Sequence, residues 1–207
     1  MRCETEERSS MPNPAKTDFE IHPLLKNRYS PRAFLDKPIE SAVLRRIFEA
    51  ARWSASCRND QEWFYVAGIR NQGPAFERIC SVLTPKNQEW AAHAAILAIL
   101  CGRVTFADGT TPNKWHAYDC GQSAAHLTFQ AAAEGVSVHQ MGGFDAQKAI
   151  AELSVPGGFL PLAAIAMGYA GDPASLPEQL SKWEVAPRTR RPQAEFVFDG
   201  AWGKALE

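Results

Sequence analysis

Long apolar runs, paired cysteines and net charge are all missing from this chain of 207 residues, and each absence removes a class of function. The longest apolar stretch, Ala91 to Cys101, is broken by His93 and is too short to cross a bilayer. Residues 1–18 are polar and of mixed charge, without the apolar core of a signal peptide. The expectation is a protein with no membrane association. Its five cysteines, Cys3, Cys57, Cys80, Cys101 and Cys120, are widely spaced and odd in number, with no CxxC pair. That pattern is neither a disulfide framework nor a zinc site, and it suits a reducing, cytoplasmic setting. A formal net charge of −1 gives no general attraction to nucleic acid or to an anionic membrane.

The short catalytic signatures are missing too. There is no GxGxxG, no GxxxxGK[ST], no HExxH and no GxSxG, and the histidines do not sit at metal-ligand spacing. Neither a Rossmann fingerprint, a P-loop, a zinc hydrolase nor a serine hydrolase is indicated.

What is present is ordinary globular composition, 45% hydrophobic and 22% charged, at a length that suits one domain with a core and a cofactor pocket. Residues 1–20 read as a disordered lead-in, and 21–207 as the domain. Beyond Pro38, Val43, Leu44, Ile47, Phe48, Ala50 and Ala51 repeat at helical spacing, with Arg45, Arg46 and Glu49 opposite. A polar loop, SASCRNDQ, leads into a strand-like run from Trp63 to Ala67. Helices are expected over PAFERICSVL, around NQEWAAHA, from Trp115 to Glu134 with a stop at Gly135, and from Ala146 to Leu153. Strands are expected at 95–101, 136–139 and 160–169. The fold class is α+β, an α/β sandwich with helices flanking a central mixed, mainly antiparallel sheet. From about residue 171, prolines 173, 177, 187 and 192 suggest an extended arm closing in a strand at 196–198, packed on a partner subunit.

Three segments carry binding chemistry. In Arg28-Tyr29-Ser30-Pro31-Arg32 alternate residues of an extended chain face one side, so Arg28, Ser30 and Arg32 can converge on a phosphate or an electron-rich ring edge. The same residues would also make an ordinary charged loop. Between Ser56 and Trp63, Asn59 and Gln61 bring both donors and acceptors to a helix-to-strand loop, where ligands gather; a polar turn is the plainer use. Arg188-Thr189-Arg190-Arg191-Pro192 is either a solvated basic run or a phosphate clamp.

Taken together, these segments resemble the nitroreductase family. RYSPRAF resembles its N-terminal RxSxR segment, and LRRIFEAARWSASCRNDQEWFYVA its helix-loop-strand with the APSSxNxQPW pattern. HQMGGFD, at His139 to Asp145, resembles its glycine-containing flavin loop, and APRTRRPQAEFV its C-terminal basic motif. Four motifs recur in order across roughly residues 22 to 200. Ala55 and Glu62 stand where the pattern has prolines, and Cys57 where it often has a small polar residue.

The resemblance implies a homodimer with FMN at the subunit interface, reduced by NADPH or NADH and reoxidised by a small electrophile, in ping-pong order. It implies cofactor contacts from Arg28, Tyr29, Ser30, Arg32, Ser56, Asn59, Gln61, Met141, Gly142, Gly143, Arg188 and Arg190. Asn59 would come from the other subunit, and Gly142-Gly143 would bring backbone close to the flavin. Chemistry then belongs to the cofactor, so no catalytic side chain and no metal ligand is assigned. Trp63, Phe64, Phe106 and Trp115 are candidates to shape the pocket. His139 is expected as a hydrogen-bonded strand-end residue rather than a general acid, and Cys57 as packing rather than a reactive thiol. Two other functions share these residues: reduction of an enone, quinone or aldehyde, and flavin storage without catalysis. A nucleic-acid contact by the Arg188–Arg191 run is disfavoured.

Overall fold

The computed structural model describes residues 13–206. Of the expected lead-in, residues 1–12 lie outside the described residues. From Asn13 the chain lies against its own domain: the Asn13 amide donates to Ala186 O at 2.7 Å and Ala15 N to Lys26 O at 2.9 Å.

Four strands form the sheet: β1 (Trp63–Ile69), β2 (Ile96–Arg103), β3 (Ser137–Met141) and β4 (Phe159–Gly168). Their spatial order is β1-β2-β4-β3, and all three ladders are antiparallel, the limiting case of the mainly antiparallel sheet expected. β2 is buried from Ile96 to Gly102, which requires cover on both faces. α2 (Ser41–Arg52) and α5 (His116–Ala133) cover one face. α3 (Ala75–Val82), α4 (Pro85–Ala91) and α6 (Ala146–Glu152) cover the other. A short α1 (Pro23–Asn27) precedes the arginine segment.

Local chemistry explains these elements. In α2, Val43, Ile47 and Ala51 fall four apart and are buried, while Arg46 and Arg52 pair outward with Glu134 and Glu49. α5 ends where Gly135 takes φ +74° and Val136 N donates to Ala131 O at 2.8 Å, a left-handed stop that satisfies an orphan carbonyl. The β2–β4 ladder shifts register beside Leu100 and Cys101, where Pro161 has no N–H to offer.

The C-terminal region departs from the expected extended arm. Glu178–Val185 is a helix, α7, followed by exposed chain. Pro177 sits just before its first turn and Pro187 just beyond its end, so the prolines bracket a helix rather than prevent one. Glu178 and Lys182 pair one turn apart at 2.6 Å, and Leu180 docks into the second core. The expected closing strand at 196–198 is reduced to one bridge, Phe198 to Ala205, because no neighbouring strand in this chain offers a ladder.

Gly68 lets α3 lie directly on β1: a Cβ there would come within 2.4 Å of Phe76 N. Gly68→Ala should therefore destabilise the protein by about 3 kcal/mol in urea unfolding. Gly121→Ala, at an open position in α5, should be neutral or stabilising by up to about 1 kcal/mol. Equal effects at the two sites would refute this account of the packing.

Candidate functional site

The 28–32 segment runs beside β3 and is fastened to it by His139, whose Nδ1 meets Pro31 O at 3.0 Å. It then passes Phe34, which bridges to Ala170 beyond β4. α7 closes over the same segment. Glu184, with its side chain 1% exposed, accepts from Arg32 N at 2.8 Å and Ala33 N at 3.2 Å, and its other oxygen lies 3.7 Å from the Arg32 guanidinium.

Between the segment and α7 lies an open hollow of about 180 Å³. Arg28, Tyr29, Ser30, Arg32, Arg188 and Arg190 all line it, so two of the three sequence segments meet there. Arg28 Nη1 donates to Ser30 Oγ at 3.1 Å, the convergence expected of alternate residues. Arg188 Nη1 is held by Asn13 O at 2.9 Å and Lys26 O at 3.2 Å.

Charge in this hollow is unbalanced. Arg32 is answered by Glu184, but among the described residues no carboxylate pairs with Arg28, Arg188 or Arg190. Burial, then repulsion from Arg188 and Arg190, pulls the Arg28 guanidinium below its ordinary value. The Tyr29 hydroxyl is buried with no hydrogen-bond partner, and burial together with Glu184 pushes it up to about 12. It is thus a proton donor without an acceptor. Three uncompensated guanidinium groups and an orphaned hydroxyl fit an anion with several oxygens, such as a phosphate. A larger hollow of about 230 Å³, lined by Asp36, Pro38, Ile69, Arg70, Asn71, Gln72 and Ala95, lacks this signature because Arg70 is paired with Asp36.

Ser56, Asn59 and Gln61 lie elsewhere, in the loop entering β1 at the opposite edge of the sheet from β3. Arg58, Asn59 and Gln61 all adopt left-handed φ, at 58°, 55° and 51°. Such backbone costs about 1–3 kcal/mol per residue and persists only where surroundings impose it. Here Cys57 N donates to Asp119 Oδ2 at 2.8 Å, Gln61 N to Ser56 Oγ at 3.0 Å, and Asp60 pairs with Arg103 at 2.7 Å. Asn59 and Gln61 stay exposed. Within a single chain, therefore, this loop and the arginine hollow stay apart.

The glycine segment divides by residue. Met141 is buried in the second core, leaving only its backbone for any ligand. Gly143 is needed by the fold, since a Cβ there would meet Asn87 Nδ2 at 2.5 Å and Thr84 Oγ1 at 3.1 Å. Gly142 is exposed, with nothing near its missing side chain. Among the pocket-shaping candidates, Trp63 belongs to the first core, Phe106 lies under the Arg58 guanidinium, and Phe64 and Trp115 are exposed. Sequence reasoning missed Asn13, Trp183, Glu184 and Ala186, all lining the hollow. Glu184 carried one signal: it stands four residues beyond Leu180, on the buried stripe of a proline-bracketed helix.

The fold is thus an α+β sandwich, a helix-flanked antiparallel sheet with a cationic hollow at one edge. The family model named Nitroreductase family matches residues 25–169, and the chain belongs to that family. It is 36% identical over 115 residues to a 15.4 kDa protein of the ask 5′ region of Mycolicibacterium smegmatis, covering 56% of this chain and 77% of that one. A solved oxidoreductase containing FMN superposes with TM-score 0.87 at 30% identity, over 92% of this chain and 96% of its own. A nitroreductase family protein from Clostridium difficile 630 shares the fold, with TM-score 0.68 at 21% identity over 86% and 96% of the two chains. No helix among the described residues is long and apolar enough to cross a membrane.

Burial holds His139 near pKa 4 against an ordinary 6.5, with Arg32 and Arg28 opposing its charge. It is a neutral tether for the arginine segment, with its ring tilted 40° against Trp90 at 4.5 Å between centroids. Its folded pKa lies below the unfolded one, so its stabilising effect is full above about pH 6.5 and lost as pH falls toward 4. In acid titrations of stability, His139→Gln should remove a component of up to about 3 kcal/mol from this window. Superimposable acid profiles would show that His139 is not buried neutral.

Proposed function

We propose that the protein is an FMN-dependent oxidoreductase, active as a homodimer, that uses NADPH or NADH to reduce a small electrophile such as a nitroaromatic or quinone. The observation that carries this reading is the hollow's surplus of guanidinium groups beside the orphaned Tyr29 hydroxyl. Family membership supports it, and so does the FMN contained by the relative that superposes at TM-score 0.87.

Arg28, Ser30, Arg188 and Arg190 would hold the phosphate, with Tyr29 donating the remaining hydrogen bond. Arg32, held beside Glu184, would offer its remaining N–H groups to the ring system. Gly142 leaves room for backbone to approach the ring. Ser56, Asn59 and Gln61 would reach the ring from the partner copy, because within one chain they sit at the far edge of the sheet. Exposed Trp53, Phe64, Trp115, Tyr118 and Leu160, with Phe196 and Trp202 on the tail, supply apolar surface for that association. Bound FMN would supply two-electron redox chemistry. The chain's tasks are to bind, orient and exclude water. A single site used in turn by reductant and acceptor gives ping-pong kinetics.

Purified protein should be yellow or become so with FMN, bleach anaerobically with NADPH or NADH, and recover on adding a nitroaromatic or quinone. Arg28→Ala and Arg188→Ala should each weaken FMN binding roughly ten- to a hundredfold in fluorescence titrations, the loss of a charge-assisted hydrogen bond. Protein that stays colourless with excess FMN would overturn the proposal.

A further inference from the structure

Glu62 immediately precedes β1 and is fully buried, yet among the described residues no cationic side chain lies within ion-pair distance of it. Its Oε1 accepts from Asn113 Nδ2 at 2.8 Å, while Oε2 has no partner by ordinary donor-acceptor rules. The neighbouring acid is Asp119 in the first turn of α5, itself only 3% exposed. Asp119 Oδ2 accepts from Cys57 N at 2.8 Å and Oδ1 from Gln122 Nε2 at 3.2 Å.

The surrounding titratable groups offer no counterion. Cys120, on α5, places Sγ 4.0 Å from Glu62 O, and Cys101 on β2 lies beside it with its carbonyl 3.9 Å from the same sulfur. Arg103, at the end of β2, is committed to Asp60 at 2.7 Å and Thr105 O at 3.1 Å. His116 Nδ1 meets Asn113 O at 2.8 Å. Two carboxyl groups in a dry pocket without a cation do not both ionise. Asp119 already accepts from two N–H donors, whereas Glu62 has a free oxygen to carry the proton. Burial, with Asp119 beside it, raises Glu62 above the usual carboxylate range.

We propose that Glu62 and Asp119 share one proton, donated from Glu62 to Asp119, and that this acid pair latches the Ser56–Gln61 loop onto α5. The latch matters because the loop is strained and exposed, with Cys57 N on Asp119 as one of its few long-range ties. Loss of the shared proton leaves two anions in one pocket. Water must then enter, and the tie that holds Asn59 and Gln61 in place weakens. Glu62 is thus a positioning residue that sets an upper pH limit on the site. Its role toward flavin rests on the function proposed above; its role toward the loop does not.

A carboxyl whose folded pKa is raised gives its full stability contribution below the unfolded value and loses it as pH rises through the folded one. Glu62→Gln keeps the shape and the donor but cannot ionise. Three measurements on the full chain as purified test the latch. Infrared spectra of wild type along a pH titration should carry a protonated-carboxyl stretch that persists above the ordinary carboxylate range and is missing from Glu62→Gln. Melting temperatures of wild type should fall below those of Glu62→Gln as pH rises, and converge with them in acid. The FMN dissociation constant of wild type should rise by up to about tenfold per pH unit above the pair's pKa, while that of Glu62→Gln stays flat.

An infrared spectrum without the stretch, or parallel melting profiles, overturns the latch whether or not FMN binds. A colourless protein that shows the stretch and the diverging profiles keeps the latch and removes the flavin reading. Should Glu62→Gln fail to fold, wild type decides alone: the stretch must fade on alkaline titration while the Cys57 amide loses exchange protection, and a stretch that persists overturns the proposal.

Discussion

A strand buried along nearly its whole length is the constraint from which the rest of this structure follows. β2 has no wet face, so the chain must supply helices on both sides, and it does so with α2 and α5 on one and α3, α4 and α6 on the other. Because β4 pairs beside β2, the sheet's two edges are left to β1 and β3. Polar chemistry is displaced to those edges. The arginine segment runs along β3, and the Ser56–Gln61 loop enters β1.

The two edges carry different electrostatic problems. At the β3 edge, positive charge gathers around a hollow with only Glu184 to answer it, and Glu184 is occupied by Arg32 and two backbone N–H groups. At the β1 edge the excess is negative and enclosed. Asp119 is solvated by N–H donors, and Glu62 by Asn113 and a proton. Glu184, Asp119 and Glu62 are three buried carboxyl groups, satisfied respectively by a cation, by dipoles and by protonation.

The strained left-handed run from Arg58 to Gln61 makes sense in this setting. A relaxed turn would not hold Asn59 and Gln61 out in solvent with so few contacts. Packing beneath it, through Asp119 and the Asp60–Arg103 pair, imposes the conformation that the local sequence would not choose. Glu62, one of the departures from the family's sequence pattern, follows this loop directly in the chain and is fully buried, joining a single substitution to the geometry of the loop.

Much of this was written in one dimension. Helical periodicity in α2, the apolar run of β2 and the stop at Gly135 are local signals, because side-chain spacing and backbone sterics act over a few residues. Arg28, Ser30 and Arg32 announced their convergence through the period of two in extended chain, and the family was readable from four ordered motifs. Pro177 and Pro187 misled, since a proline marks a boundary without saying which side of it is helical. The sequence by itself determined the α+β class, the family and the arginines. Tertiary structure alone decided that Glu184 lines the arginine hollow, that Glu184 and Glu62 are buried while Asn59 is not, and that Met141 turns inward. Burial and charge balance are sums over residues far apart in the chain, so only the folded molecule can supply them.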